Sequence, residues 1–340
     1  LIARIITYQL EIYPIGSELP LKWQLLNPEL LKDDLFGSLY YLHFQPPIWN
    51  LIYGIMIKIF GIDYNSISIA LHFFNIFLSL IMIYFFCLIC FHFKLKKKEI
   101  YILYFFFFIF SLSFLFYETY IHYTHLTALL FAQISYFILK FNENYSLRFE
   151  ILIYCSALFL AFTWSAFGHP LFIFTIFIGV CLIKFKKNFL RSFIIFLIFS
   201  ALIIIPSIKN KIEYNMFANT SWIGMQIYTV LSFGDNWDHW SECNFSPTSN
   251  NNTETFETLL KDEVSYKKNN PNFNNNHPSV TGKYSRNNNV GFIHRSKKCM
   301  KLGFKQIIDD PLRYIGRVKY LIISNHGHFS FDHLGWDPKE

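Results

Sequence analysis

Long runs of uncharged, apolar residues constrain this chain more than any other feature. One of them, residues 100–116, reads IYILYFFFFIFSLSFLF and lacks the charged face that a helix needs at a water-exposed surface. Only 16% of the 340 residues are charged, whereas about 25% is usual in soluble domains. Because a bilayer is crossed by ~20 apolar residues, the runs predict six membrane-spanning helices. They cover residues 67–92, 99–117, 124–140, 150–164, 169–184 and 192–207.

The connectors between these runs alternate in charge. Lys and Arg are concentrated in 93–98, 140–149 and 184–191, whereas 117–125 and 164–170 are nearly free of them. An excess of Lys and Arg marks cytoplasmic loops. The basic connectors are therefore expected in the cytoplasm and the other connectors outside.

The same charge rule places the rest of the chain. Residues 13–66 form a first outer loop, and everything after 207 lies outside. The sequence therefore predicts an integral, multi-pass membrane protein of the all-α class. Its transmembrane bundle covers 1–207, and a polar domain on the lumenal, periplasmic or extracellular side covers 208–340.

Three segments need separate interpretations. Residues 47–62 are apolar but short and begin at a Pro-Pro pair, so we expect an interfacial helix on the outer membrane surface. Residues 244–276 are rich in Asn, Ser and Thr, a composition that cannot bury a core and indicates a mobile insertion. Apolar residues within 293–323 are spaced for one face of a helix. A disulfide between Cys243 and Cys299 is one of two open alternatives, because it requires an oxidising compartment.

The net charge of +7 would favour a nucleic-acid partner in a soluble protein. Here the densest basic clusters, KLKKK at 94–98 and KFKKN at 184–188, lie at the ends of predicted spans. They are better explained as topology signals and as contacts with anionic membrane lipids. Membrane lipids are therefore expected partners, and nucleic acid is not.

The first outer loop contains an acidic pair, Asp33 and Asp34, shortly before His43. A carboxylate at a low-dielectric surface gains proton affinity and can serve as a general base. The alternative is that the two acids cap or solubilise a surface helix.

The second outer loop, YETYIHYTH, contains Glu118, His122 and His125. Glu118 and His122 are one helical turn apart, so the pair could bind a metal or relay a proton. The alternative is an aromatic belt at the membrane interface that these polar groups merely hydrate. After the last span, Lys209 and Lys211 oppose the charge rule, and a lipid phosphate would explain them. Ordinary headgroup contacts explain them equally well.

Several sequence blocks resemble glycosyltransferases of the GT-C superfamily, in particular family 39, which includes protein mannosyltransferases and aminoarabinose transferases. The similarity runs in order through DLFGSLYYLHFQPPIWNLIYGIMIKIFG, YETYIHYTH, FGHP, PSIKNKIEYNMFANTSWIGM, FNNNHPSV and DDPLRYI. HFQPP and NTSWIGM are the most specific of these segments. The resemblance implies a GT-C-like transmembrane bundle that transfers a sugar from a polyprenyl- or dolichyl-phosphate donor, with inversion, at the outer membrane face.

The resemblance also implies roles for particular residues. Asp34 or Asp33 would be the general base, and which of them acts is open because better-known members have Asp-Glu where this chain has Asp-Asp. The substrate-binding candidates are His43, Gln45, Glu118, His122, Lys209, Lys211 and Trp222. No residue is assigned as a metal ligand, and a divalent cation is the one cofactor that stays open.

A transporter or a lipid-binding scaffold without chemistry is the rival hypothesis. A transporter would carry ionisable or Gly/Pro-broken sites near the bilayer midplane. The predicted spans contain almost none, and the notable polar groups gather at one surface. This distribution favours catalysis at the interface.

Overall fold

The computed structural model describes residue 19 and residues 24–109, 111–183, 189–224, 227–228, 252–282, 285, 288–313 and 315–316. Every regular element within these residues is helical. The chain divides into two compact units. Unit 1 comprises Leu1–Thr220 and Asn272–Asn289, and unit 2 comprises Ser221–Pro271 and Val290–Glu340.

Unit 1 contains ten of the described α-helices. In chain order they are α1 Pro28–Asp33, α2 Leu35–Tyr40, α3 Pro47–Phe60, α4 Tyr64–His92, α5 Lys97–Tyr104, α6 Leu112–Thr119, α7 Thr124–Asn144, α8 Leu147–Thr163, α9 Pro170–Ile183 and α10 Phe189–Tyr214. A π-helical turn, Phe105–Ile109, follows α5, and a 3-10 turn, Ser165–Phe167, follows α8.

Three of these helices, α4, α7 and α10, are long and apolar enough to cross a membrane. Their exposed faces are apolar as well: on α4, Phe73, Phe77 and Leu80 are each more than half exposed, while Leu71 and Leu78 on the same helix are buried. A helix that is apolar on its outer as well as its inner face is suited to lipid rather than to water. The described fold is therefore compatible with an all-α membrane protein.

The predicted span over 99–117 is not one helix. The chain forms α5, the π-helical turn and then α6. Ser111 lies just before α6, and its Oγ accepts a hydrogen bond from the backbone N–H of Phe114 at 3.2 Å. A serine side chain that binds a backbone N–H in this way favours the start of a new helix over continuation of the old one.

One histidine–carboxylate contact and one ion pair tie helix ends together in unit 1. At the ends of α4 and α7, His92 Nδ1 lies 2.9 Å from Glu143 Oε1. Arg191 at the start of α10 pairs with Glu150 of α8 at 2.8 Å, and Glu150 is fully buried. These contacts bring the predicted basic connectors 93–98 and 140–149 to one end of the helices, beside the start of α10. Residues 184–188 of the third basic connector lie outside the described residues.

Unit 2 is built on two helices, α11 Asn252–Asn269 and α12 Val290–Asp309. Arg295 of α12 forms an ion pair with Asp262 of α11 at 2.8 Å, and the Lys297 ammonium lies 5.7 Å from the centre of the Tyr266 ring. The Asn-rich segment 244–276 therefore contains a helix. Its composition alone predicts only a mobile insertion. Cys299 on α12 is disulfide-bonded, and its proposed partner Cys243 lies outside the described residues.

The division into units differs from the sequence boundary at residue 207. That position falls inside α10, which continues to Tyr214. Residues 272–289, from the second half of the chain, belong to unit 1 together with the first outer loop. Helix α3, Pro47–Phe60, falls within the segment 47–62 for which the sequence predicts an interfacial helix.

Candidate functional site

An apolar cavity of about 290 Å³ lies within unit 1, and we call it the apolar cavity. Its wall is mostly aliphatic and prolyl, and its polar side chains are those of Gln45, Lys209, Asn219 and Tyr40. The other lining residues are Leu39, Leu42, Pro46, Pro47, Ala161, Phe162, Gly168, Ile203, Ile205 and Pro206. The cavity thus combines residues from HFQPP, FGHP and the segment after the last predicted span.

The Asn219 side chain packs closely against Gly168 in the wall of this cavity. A Cβ on residue 168 would lie only 1.8 Å from the Asn219 amide nitrogen, so a larger residue there would displace the Asn219 side chain. Asn219 in turn donates a hydrogen bond to the carbonyl of Ser165 at 3.3 Å. Pro206 lies inside α10, where a proline removes a backbone hydrogen bond and bends a helix. Lys209 follows it by one turn.

Lys209 reaches back to the first outer loop. Its Nζ donates hydrogen bonds to the carbonyls of Tyr40, at 3.0 Å, and Leu42, at 2.5 Å. These carbonyls lie at and just beyond the C-terminus of α2, where a helix favours a cation. Lys209 therefore fixes the loop and presents its amino group to the apolar cavity at the same time.

Gln45 is the second polar group in the cavity wall. Only 5% of its surface is exposed, and its Oε1 has no hydrogen-bond partner among the described residues. A buried amide oxygen without a partner is costly and therefore rare in folded proteins. A ligand with a hydroxyl donor would satisfy it, and rotation of the amide would present an N–H to an anion instead.

A second, polar cleft of about 570 Å³ lies beside Tyr41, and we call it the Asn-lined cleft. Its lining residues are Tyr41, Ile212, Glu213 and residues 272–277. Tyr40 lines the apolar cavity and its chain neighbour Tyr41 lines the cleft. The Tyr40 hydroxyl donates to Glu213 at 2.8 Å, and this hydrogen bond raises the pKa of Tyr40.

Asp34 lies at the start of α2 and is exposed. Its Oδ1 caps the helix by accepting the Gly37 N–H at 2.9 Å, and its Oδ2 lies 3.6 Å from His277 Nε2. The Ser279 backbone N–H donates to His277 Nδ1 at 3.2 Å. In the neutral imidazole the proton is therefore on Nε2, which faces Asp34.

Asp33 differs from its neighbour. It is the last residue of α1 and is also exposed, but no hydrogen bond or ion pair of its side chain occurs within the described part of the chain. Among the residues that the structure describes, only Asp34 of the two acids forms an ion-pair contact with another titratable side chain, His277. Asp34 is therefore the better-placed candidate base.

Asn288 holds the two halves of this region together. Its Oδ1 accepts the backbone N–H groups of His43 and Phe44, at 2.8 and 3.1 Å. Its Nδ2 donates to the carbonyls of Ser279 and Tyr41, at 2.8 and 3.2 Å. One buried side chain thus joins the first outer loop to the segment that carries His277.

His43 is fully buried and lines neither the apolar cavity nor the Asn-lined cleft. Its ring packs edge-on against Tyr214 with centroids 4.8 Å apart. Burial, reinforced by the charge of Lys209, lowers the pKa of His43 from 6.5 to about 3. We therefore expect the imidazole of His43, buried within the first outer loop, to be neutral near pH 7.

Glu118 and His122 do not lie on one helix, because α6 ends at Thr119 and His122 falls in the connector before α7. His122 Nε2 instead lies 2.6 Å from Gln24 Nε2, and its Nδ1 lies 2.5 Å from Thr124 Oγ1. The expected one-turn pairing fails because the helix ends between the two residues.

Glu118 belongs to a buried group that we call the bundle network, formed by Ser79, Glu118 and His125. Ser79 Oγ lies 2.6 Å from Glu118 Oε1 and 2.7 Å from His125 Nε2, and all three residues are at most 2% exposed. A hydroxyl has one proton to donate. If that proton goes to an ionised Glu118, His125 must donate from Nε2.

The remaining candidates lie elsewhere. Lys211 is exposed, and its Nζ donates to Asn215 at 2.6 Å. Trp222 belongs to unit 2, where its ring stacks on Phe292 at a centroid distance of 5.6 Å. The described residues contain no group of three or more His, Cys, Asp or Glu side chains suited to hold a metal ion.

Sequence reasoning did not single out His277, Asn288 or Ser79. His277 lies in the FNNNHPSV block, where the Asn-rich sequence around it gives no local signal of a site. Comparison with known families, curated proteins and solved structures finds no match to this chain.

Proposed function

We propose that this protein is a membrane glycosyltransferase of GT-C type that uses a polyprenyl- or dolichyl-phosphate sugar as donor. The observation that carries the proposal is the pairing of two neighbouring cavities with opposite character. One is apolar with a lysine and an unsatisfied buried amide in its wall, and the other is polar and lies beside a carboxylate–histidine pair. The resemblance of the sequence blocks to family 39 gives the reaction class.

The apolar cavity is suited to the donor lipid. Its aliphatic wall would hold the isoprenoid units next to the phosphate, and Lys209 would lie beside the phosphate oxygens. When the sugar leaves, negative charge grows on that phosphate, and a cation already in place stabilises it. Gln45 would donate to the phosphate or accept from a sugar hydroxyl.

The Asn-lined cleft is suited to a hydroxyl-bearing acceptor. Asparagine amides offer both donors and acceptors to hydroxyl groups. In this proposal the Asp34 carboxylate removes the acceptor proton while the acceptor oxygen attacks the anomeric carbon, and the lipid phosphate departs with the bonding electrons. His277, with Nε2 towards Asp34, would orient the carboxylate.

The topology follows from charge. We propose that six helical segments cross the membrane and that the basic connectors face the cytoplasm, as expected from the excess of Lys and Arg. The first outer loop and the polar domain would then face the lumen, periplasm or extracellular space. The clustering of the first two basic connectors at one end of unit 1 supports this arrangement.

The proposal predicts that Asp34→Asn abolishes sugar transfer. Asparagine is as good an N-cap as aspartate, so the bond from Gly37 and the start of α2 are retained while the negative charge is lost. Loss of a general base costs roughly 10²–10⁴-fold in rate. The measurement is transfer from radiolabelled polyprenyl-phosphate monosaccharides in membranes that contain the full chain.

Asp33→Asn is the matched control, because the two positions are adjacent, both are exposed, and only Asp34 caps a helix or adjoins His277. Activity close to that of the unsubstituted protein is expected for Asp33→Asn. Equal activity in both variants would refute the assignment of Asp34 as base. Failure of the folded, unsubstituted protein to transfer sugar from any donor of this class would count against the glycosyltransferase itself.

A transporter or lipid-binding protein without chemistry is the second candidate, and the bundle network favours it. Ser79 lies near the middle of α4, a helix long enough to cross a membrane, and it contacts a buried carboxyl and a buried imidazole. Ionisable groups at such a depth are often functional in transport. Flux or lipid transfer that depends on Glu118 and is indifferent to Asp34→Asn would favour this candidate.

A further inference from the structure

The C-terminal part of α12 and the helical residues that follow it expose a line of large apolar side chains. Phe304 is 49% exposed, Ile308 79%, Leu312 78% and Ile315 61%. Phe304 and Ile308 are one helical turn apart on α12. Leu312 and Ile315 follow at intervals of four and three residues, beyond the end of α12 at Asp309. We call these four residues the apolar stripe.

The first half of α12 is different, because it is packed within unit 2. Phe292, Ile293, Ser296 and Cys299 are all fully buried there, and Cys299 is disulfide-bonded. The helix is therefore anchored at one end and presents its apolar side chains at the other. Phe304 and Ile308 thus lie on a helix with its own tertiary contacts, and Leu312 and Ile315 lie in the short helical segment that follows it.

Basic residues flank the stripe. Lys298, Lys301, Lys305 and Arg313 are all exposed. At 3.6 residues per turn, Lys301 and Lys305 project beside Phe304 and Ile308, whereas Gln306 projects from the opposite side of the helix. Asp309 and Asp310 are also exposed in this segment, so its four basic residues exceed its two exposed acids.

We propose that the apolar stripe lies in the surface of an anionic membrane. A helix with apolar side chains on one face and lysines along its border is the usual form of an interfacial membrane helix. The contrast with α4 supports this occupant, because the exposed Phe73, Phe77 and Leu80 of that helix have no lysines beside them, as a spanning helix requires. Unit 1 of the same chain supplies helices able to cross a bilayer, so the stripe is covalently linked to helices suited to a membrane. The proposal does not depend on the enzymatic function.

The test uses the full chain in lipid nanodiscs. An environment-sensitive fluorescent amino acid is introduced at position 308 by codon suppression and, in a second protein, at position 306 as the matched polar-side control. Both positions are exposed, so either replacement is compatible with the fold. Nitroxide-labelled lipids quench a fluorophore that lies in the membrane surface. Quenching at 308 should exceed quenching at 306 by roughly threefold or more if the stripe is inserted.

The dependence on lipid charge is tested by the paired change Lys301→Glu and Lys305→Glu. In discs that contain anionic phospholipid, this variant should reduce quenching at 308 by roughly half or more, since each lysine near an anionic surface contributes to binding. In purely zwitterionic discs the two proteins should behave alike. Equal quenching at 308 and 306, or quenching at neither, would overturn the proposal. Emission at 308 that shifts only as protein concentration rises would assign the stripe to a second copy of the chain, and would overturn it as well.

Discussion

Two polar regions of unit 1 differ in whether their side chains form hydrogen bonds with one another. In the bundle network, Ser79 Oγ lies within hydrogen-bond distance of both Glu118 and His125, and the group is closed off from solvent. In the wall of the apolar cavity, Gln45 Oε1 has no partner within the described residues, and near the Asn-lined cleft Asp34 is exposed beside His277. A closed network stabilises the fold, whereas a region with unmet hydrogen-bonding capacity is suited to a ligand.

Substitutions of similar chemistry should therefore affect different properties of the protein in the two regions. Changes beside the apolar cavity should act on turnover more than on stability. Changes in the bundle network should act on stability more than on turnover. Substitution of Lys209 should affect both turnover and stability, because Lys209 lines the cavity and also binds carbonyls at the end of α2.

The largest effect expected beyond that of Asp34 is for Lys209→Met. Removal of the cation beside the leaving phosphate should lower sugar transfer by roughly 10²-fold. The hydrogen bonds to Tyr40 and Leu42 are lost as well, so activity must be normalised to the amount of folded protein in detergent. Transfer assays on purified protein with a polyprenyl-phosphate sugar provide the measurement.

Lys211→Met is the control for this variant, since Lys211 is exposed and its ammonium donates to Asn215 on the surface. Substitutions of this kind change free energies by about 0.5 kcal/mol or less, so activity should stay within roughly twofold. If Lys209→Met and Lys211→Met lower transfer equally, the ammonium of Lys209 has no special place beside the phosphate, and the contrast between the two regions loses its main support.

The second prediction concerns the bundle network. Ser79→Ala removes the hydroxyl that joins Glu118 to His125 and leaves both buried groups with one partner fewer. The free energy of unfolding should fall by about 1–3 kcal/mol, with transfer activity per folded molecule unchanged. Thermal unfolding of the detergent-solubilised protein measures the first quantity, and the transfer assay measures the second.

Ser68 offers a matched control on the same helix. It is also buried, but its Oγ has no hydrogen-bond partner among the residues that the structure describes. Ser68→Ala should therefore be neutral or stabilising, because it removes an unsatisfied polar group. Similar destabilisation by both alanine variants would show that Ser79 contributes only packing.

The sequence predicted part of this arrangement and missed the rest for identifiable reasons. Lys209 was noticed because a cation at a predicted outer interface opposes the charge rule, and Gln45 because it lies in a specific motif. The sequence does not reveal His277, because position 277 is 243 residues after position 34 and only the tertiary fold brings His277 beside Asp34. Nothing local distinguishes such a histidine within an Asn-rich run.

The same limit applies to the helices. Hydropathy predicts α4, α7 and α10 because a long apolar helix corresponds to an apolar run of similar length in the sequence. It did not locate the break between α5 and α6, since the aromatic run that contains the π-helical turn is apolar on either side. Hydropathy does not distinguish Ser79 from Ser68 either, because both serines lie within the apolar sequence of α4. They differ in the folded structure, where Glu118 and His125 lie next to Ser79.

The smallest effect concerns His43, whose burial separates it from both regions. Its pKa falls from 6.5 to about 3 on folding, so between these two values the unfolded chain binds a proton that the native protein does not. Stability should therefore be complete above pH 6.5 and should decline as the pH falls towards 3. The expected loss is about 1.4 kcal/mol per pH unit within that window. Unfolding free energies of the solubilised protein at pH 7.5, 6.5 and 5.5 would measure this slope, and His43→Gln, which cannot titrate, should flatten it. An unchanged slope in that variant would mean that other groups cause the acid sensitivity and that His43 is already accessible to protons in the native fold.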